Sequence, residues 1–148
     1  MTEKRLGLSF AAAFANVDLV RTAIQGVCRE HFPAPEHLDA VNDFIIATTE
    51  ALNNAVEHGT ASQVSCDLMI MQQRVGLRLY VVGAEFDSTR SATLPDAEAD
   101  WLPEGGYGLA LIQELSDDLE HTYQNGSNIF TIWKEIPQPV TGEEENGD

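Results

Sequence analysis

A chain of 148 residues with 43% hydrophobic and 22% charged residues is one domain's worth of ordinary globular sequence, long enough for a single core and too short for a second full domain. Its formal net charge of -16, from 24 acidic against 8 basic residues, leaves no cationic surface to displace counterions from phosphates; this argues against nucleic acid and favours a basic protein surface as partner. No apolar run approaches the roughly 18 to 20 residues of a membrane span, and "MTEKRLGLSF" lacks the apolar core of a signal peptide, so no membrane association and a cytoplasmic location are expected.

In chain order, "RLGLSFAAAF" (residues 5–14) is apolar and aromatic enough for a first strand, suited to an exposed sheet edge. The following "NVDLVRTAIQGVCREHF" places Val17, Val20, Ile24, Val27 and Cys28 at helical spacing, with Asn16 as the expected N-cap, and "PAPEH" breaks the chain. From Glu36, steps of three and four through Leu38, Val41, Ile45, Leu52, Ala55 and Val56 draw one apolar stripe, predicting a long helix closed by Gly59 in the C-cap position. "SQVSCDLMIMQ" and "VGLRLYVVG" alternate in part and read as a hairpin.

Residues 87–105 have no sustained period and mix Ser, Thr, Pro and Asp, a loop long enough to be a lid or a disordered segment. A short helix, "GLALIQELSDDL", and a second hairpin, "LEHTYQ" and "NIFTIWKEI" around "NGSN", complete the folded part, residues 1–137. Residues 138–148, rich in Pro, Gly and Glu, read as an acidic disordered tail. The order of elements predicts an α+β fold: a two-layer sandwich of a mostly antiparallel mixed sheet with helices on one face. Cys28 and Cys66 have no metal-ligand spacing and read as buried thiols.

The last turns of the long helix, "TTEALNNAVEHG", carry an unusual polar load. Glu50 and Asn54 are four residues apart and share a face, and His58 continues the row, while Leu52, Ala55 and Val56 face elsewhere. A carboxylate can deprotonate an attacking hydroxyl, and a carboxamide oxygen is a hard ligand suited to magnesium, although the spacing alone also fits a solvated helix face. In "EGGYGLALI" glycines open a helix directly after the long loop, an arrangement whose backbone N–H groups suit phosphate or, without a ligand, a lid hinge. It follows a loop and not a strand, unlike a dinucleotide fingerprint. The third piece, "VVGAEFD", is a strand end running through Gly83 into the lid.

In this order the three pieces resemble the nucleotide boxes of the GHKL ATP-binding fold, and more narrowly those of the bacterial anti-sigma factor serine-protein kinases, over about residues 5 to 136. The resemblance implies that Glu50 is the base that activates a partner's serine, that Asn54 is the Mg2+ ligand, and that His58 is a supporting group. It further implies that Gly83, Phe86 and Asp87 belong to the second box, and that Gly105, Gly106 and Gly108, with Leu109 beside them, cradle the phosphates of ATP under the lid. Partners implied are a sigma factor, held by a homodimer, and an antagonist protein whose serine is phosphorylated. One position departs from the pattern: Val81 stands where an aspartate normally accepts a hydrogen bond from adenine. The retained Glu50 and Asn54 imply an active kinase; Val81 and a lid with Arg90 against Asp96, Glu98, Asp100 and Glu104 imply the alternative, a partner-binding module of the same fold with little nucleotide or catalysis.

Overall fold

A computed structural model of the protein describes residues 3–86 and 108–138. Strand β1 (Lys4–Ala11) leads into helix α1 (Phe14–His31), a 3-10 turn (Pro35–His37) and the long helix α2 (Leu38–His58). Strands β2 (Gln63–Ile70) and β3 (Arg74–Val82) form the first hairpin; helix α3 (Gly108–Leu115), β4 (Asp118–Gln124) and β5 (Ser127–Glu135) follow. The sheet order is β1-β2-β3-β5-β4, and every neighbouring pair is antiparallel.

The alternation of each strand decides which face the helices cover. Val75, Leu77 and Leu79 of β3, Cys66 and Leu68 of β2 and Ile132 of β5 join Val17 and Ile24 of α1 and Val41, Phe44 and Leu52 of α2 in one buried cluster. Each such aliphatic or aromatic side chain contributes about 1.5 to 3 kcal/mol by leaving water, so this layer dominates the stability of the domain. Cys28 and Cys66 are free thiols inside it, and burial pushes both up to about 12.

The other sheet face is closed locally in a different way. Trp133 pairs with Gly76, and a Cβ at Gly76 would stand 2.6 Å from two carbons of the indole ring, so only glycine lets the ring lie down there. Arg74 stacks over the same ring at 4.0 Å, and Met69, also paired with Gly76, is 1% exposed. Polar pairs cover the rest: Tyr80 donates to Asp67 at 3.1 Å and Arg78 donates to Thr131 at 3.2 Å.

Several boundaries differ from the sequence reading, among them the start of the long helix at Leu38 and not Glu36, since residues 35–37 form the 3-10 turn. The first strand ends at Ala11 and α1 begins at Phe14, with Ala13 and not Asn16 in the N-cap position. Asn16 lies inside the first turn, and its amide donates backwards to the Ala11 carbonyl at 2.9 Å, tying the helix to the strand end. Helix α3 stops at Leu115, short of the predicted "SDDL", because Asp117 N–H donates to Trp133 O at 2.8 Å and β4 starts pairing at Asp118. The second hairpin turns on Asn125 and Gly126 alone, at φ of 53° and 78°, the positive pair that a two-residue hairpin turn of matching twist requires. Gln138 donates to Gln72 O at 3.1 Å; the rest of the predicted tail, and the predicted lid, lie outside the described residues.

Candidate functional site

Helix α2 buries Val41, Phe44, Thr48, Leu52 and Ala55 and leaves Glu50 and Asn54 half-buried, one turn apart on the side away from the sheet. The structure therefore keeps these two predicted residues as neighbours. Glu50 borders a groove of about 440 Å³ between α1 and α2, shared with Arg21, Gln25, Asn42, Ile46 and Thr49. His58 does not extend the row into the cleft: as the last helical residue its side chain is 61% exposed, with Glu57 3.8 Å away.

The end of α2 sits directly on the end of β3. Gly59 ends the helix, donating to Ala55 O at 3.0 Å, with φ -73° and ψ 156°, so the predicted C-cap position is right but no left-handed conformation demands the glycine. The demand is for space: a Cβ there would stand 2.6 Å from Ala55 O and 3.3 Å from Val81 Cγ1. We expect Gly59→Ala to lower stability by about 1 to 3 kcal/mol, as overpacked sites do, read from the denaturant midpoint at unchanged slope. An unchanged midpoint would mean that the helix end can step away from Val81 freely.

Beyond Val81 the chain leaves the sheet through a tightly held turn. Thr60 donates twice to Val82 O, from its N–H at 2.9 Å and its hydroxyl at 3.2 Å. Gly83 adopts φ +148°, which only glycine takes without strain; its N–H donates to Gly126 O at 3.0 Å and its carbonyl accepts from Tyr123 Oη at 2.9 Å. Phe86 then folds back, its N–H donating to Asn128 Oδ1 at 2.7 Å and its ring meeting Phe130 and His121 edge-on at 5.6 and 6.0 Å. His121 stacks on Phe130 at 4.6 Å.

The structure thus brings Gly83 and Phe86 together with Val81, Gly59 and Thr60 at one end of the sheet. The resemblance sets Gly126, Ser127 and Asn128 where the family often carries a Gly-Thr-Thr near adenine, so Asn128 was legible at this end; sequence reasoning missed the contacts its side chain makes, and missed His121 and Phe130 altogether. The signal lay in the register of the second hairpin, which sets Asn128 opposite Val81.

Gly108 and Leu109 are the first two residues of α3, which packs on α2 with Ala110 and Ile112 buried. Gly105, Gly106 and Asp87 lie outside the described residues. Among the described residues no three His, Cys, Asp or Glu side chains gather for a metal ion. A magnesium ion carried on phosphates needs only one or two protein oxygens, and the half-buried Asn54 carboxamide fits that demand. Val81 does not fit the adenine amine, since it offers no acceptor. Within the described residues no helix is long and apolar enough to cross a membrane.

A helix bearing a carboxylate and a carboxamide, laid against a five-stranded antiparallel sheet beside a glycine turn, defines a class: the chain belongs to the histidine kinase-like ATPase family, whose domain it matches over residues 10–134. Within that family it stands in the serine-protein kinase branch that its boxes resemble. Serine-protein kinase RsbW of Staphylococcus aureus is 30% identical over 123 residues, 76% of each chain. The protein of the same name from Staphylococcus epidermidis is 28% identical over 141 residues, 88% of this chain and 87% of that one, and the one from Listeria monocytogenes 27% over 134 residues, 84% and 83%. Among solved structures, the RsbU and RsbW domains of Rv1364c from Mycobacterium tuberculosis superpose with a TM-score of 0.65 at 17% identity, over 92% of this chain and 33% of that one, a likeness of fold.

Proposed function

We propose that the protein is a cytoplasmic, homodimeric anti-sigma regulator that sequesters a sigma factor and transfers the γ-phosphoryl group of ATP to a serine of an antagonist protein. The observation that carries the reading is the Glu50 and Asn54 pair, half-buried and one turn apart, with Glu50 bordering the groove between α1 and α2. Mg-ATP, when bound, supplies the phosphoryl group and neutralises its charge. Asn54 holds the metal from the protein side, and Glu50 orients the incoming serine hydroxyl and takes its proton. The glycines ahead of α3 support the phosphates, and Val81 lines the base end without selecting adenine.

The names of the relatives favour this catalytic reading over a binding module that has lost its chemistry. The test is transfer of labelled γ-phosphate to a small serine-bearing protein encoded beside this one. Phosphoserine on the antagonist, with release of the sigma factor by the unphosphorylated form, is the expected result. No transfer to any such antagonist, at saturating Mg-ATP, would end the kinase reading.

A further inference from the structure

Asparagine is disfavoured in strands, yet Asn128 sits within β5 at 3% exposure. Its burial is tolerable only if the whole amide is satisfied, and the count closes. Nδ2 donates to Ala84 O at 2.9 Å and to Val81 O at 3.3 Å. Oδ1 accepts from Phe86 N–H at 2.7 Å and lies 2.9 Å from His121 Nε2. With both amide hydrogens aimed at carbonyls, the oxygen is the atom facing His121, so the ring proton must sit on Nε2.

We propose that Asn128 is a positioning residue of the nucleotide site: it clips the Val81–Phe86 turn onto β5 before any ligand arrives, and its saturated amide leaves the nucleobase nothing to bond. The proposal rests on the nucleotide-binding reading above. Three backbone partners at Val81, Ala84 and Phe86 bracket Gly83, so one side chain sets the direction in which the chain leaves the sheet. Phe86 is thereby pinned under His121 and Phe130. Fixing this turn in the free protein removes an ordering cost from binding. Because all four hydrogen-bonding functions of the amide are used, Asn128 does not substitute for the acceptor missing at Val81.

The test compares wild type with Asn128→Thr, whose single hydroxyl replaces four functions while suiting a strand, and Asn128→Asp, which keeps the shape but loses both donors. In wild type without nucleotide, the His121 nitrogen shifts should report a proton on Nε2, and the Phe86 amide should exchange slowly. In Asn128→Thr the Phe86 amide should exchange about tenfold faster or more while core amides stay protected, and Mg-ATP should bind about tenfold more weakly. Phe86 exchange unchanged in Asn128→Thr, or a His121 ring in wild type with its proton on Nδ1 and none on Nε2, overturns the clip. Faster exchange at unchanged Mg-ATP affinity overturns its role in positioning, since a merely structural asparagine would alter stability and not the dissociation constant. Wild type that fails to bind Mg-ATP overturns the nucleotide-binding reading itself, and slow Phe86 exchange would then still support the tether.

Discussion

Replacing Val81 with aspartate is expected to tighten Mg-ATP binding about tenfold or more and to leave Mg-GTP nearly unmoved, as measured by calorimetry on both nucleotides. Val81 lies on the helix-covered side of β3, half-buried, close to Gly59 and opposite Asn128. Aspartate is near valine in size, so the pocket need not repack to receive it. The gain comes from a partner for the adenine amine: a buried donor left without an acceptor costs about 1 to 3 kcal/mol, which is roughly 5- to 150-fold in affinity.

The same carboxylate is unfavourable in the free protein, where it is partly desolvated beside apolar neighbours. The variant should therefore melt at a lower temperature alone and recover more than wild type when Mg-ATP is added. An affinity for Mg-ATP equal to that of wild type would show that Val81 does not face the base.

The second large effect concerns Glu50. Glu50→Gln should reduce phosphoryl transfer to the antagonist by about 10²- to 10⁴-fold, the usual contribution of a positioned base. Glutamine keeps the length and the hydrogen-bonding reach of glutamate but cannot take a proton, and the position is half-buried on the rim of an open groove, so the fold has no reason to respond. Mg-ATP affinity and capture of the sigma factor should survive, which separates loss of chemistry from loss of structure. Transfer at the wild-type rate would assign the proton to another group.

The periodic parts of this fold were legible from the chain. The apolar stripe of α2 repeats over 21 residues, and strand alternation with an Asn-Gly turn names both the second hairpin and its register. Glu50 and Asn54 were legible for the same reason, because an i, i+4 pair on a helix is a local fact. What escaped is contact made at long separation. The partners of Asn128 lie 42 to 47 residues away along the chain in the Val81–Phe86 turn, and Gly59 is needed because of Val81, which only tertiary packing brings beside it. Asn16 reads as a cap by residue type, yet the preceding strand end competed for its amide and won. His58 follows the spacing of its row, but the helix ends there and the ring turns to water.

The two edges of the described sheet differ in a way that bears on how copies of this chain can aggregate. Strand β1 is an exposed edge that carries Leu6, Leu8 and Phe10 after two basic residues, whereas β4, at the far edge, carries Asp118 and Glu120. Two copies joined through β1 would present a β4 at each end of the enlarged sheet, and a further copy arriving by its own β4 would set carboxylate against carboxylate across the new ladder. An acidic outer strand therefore disfavours β4-to-β4 addition, and continued growth of the sheet would have to bring the basic start of a β1 to it.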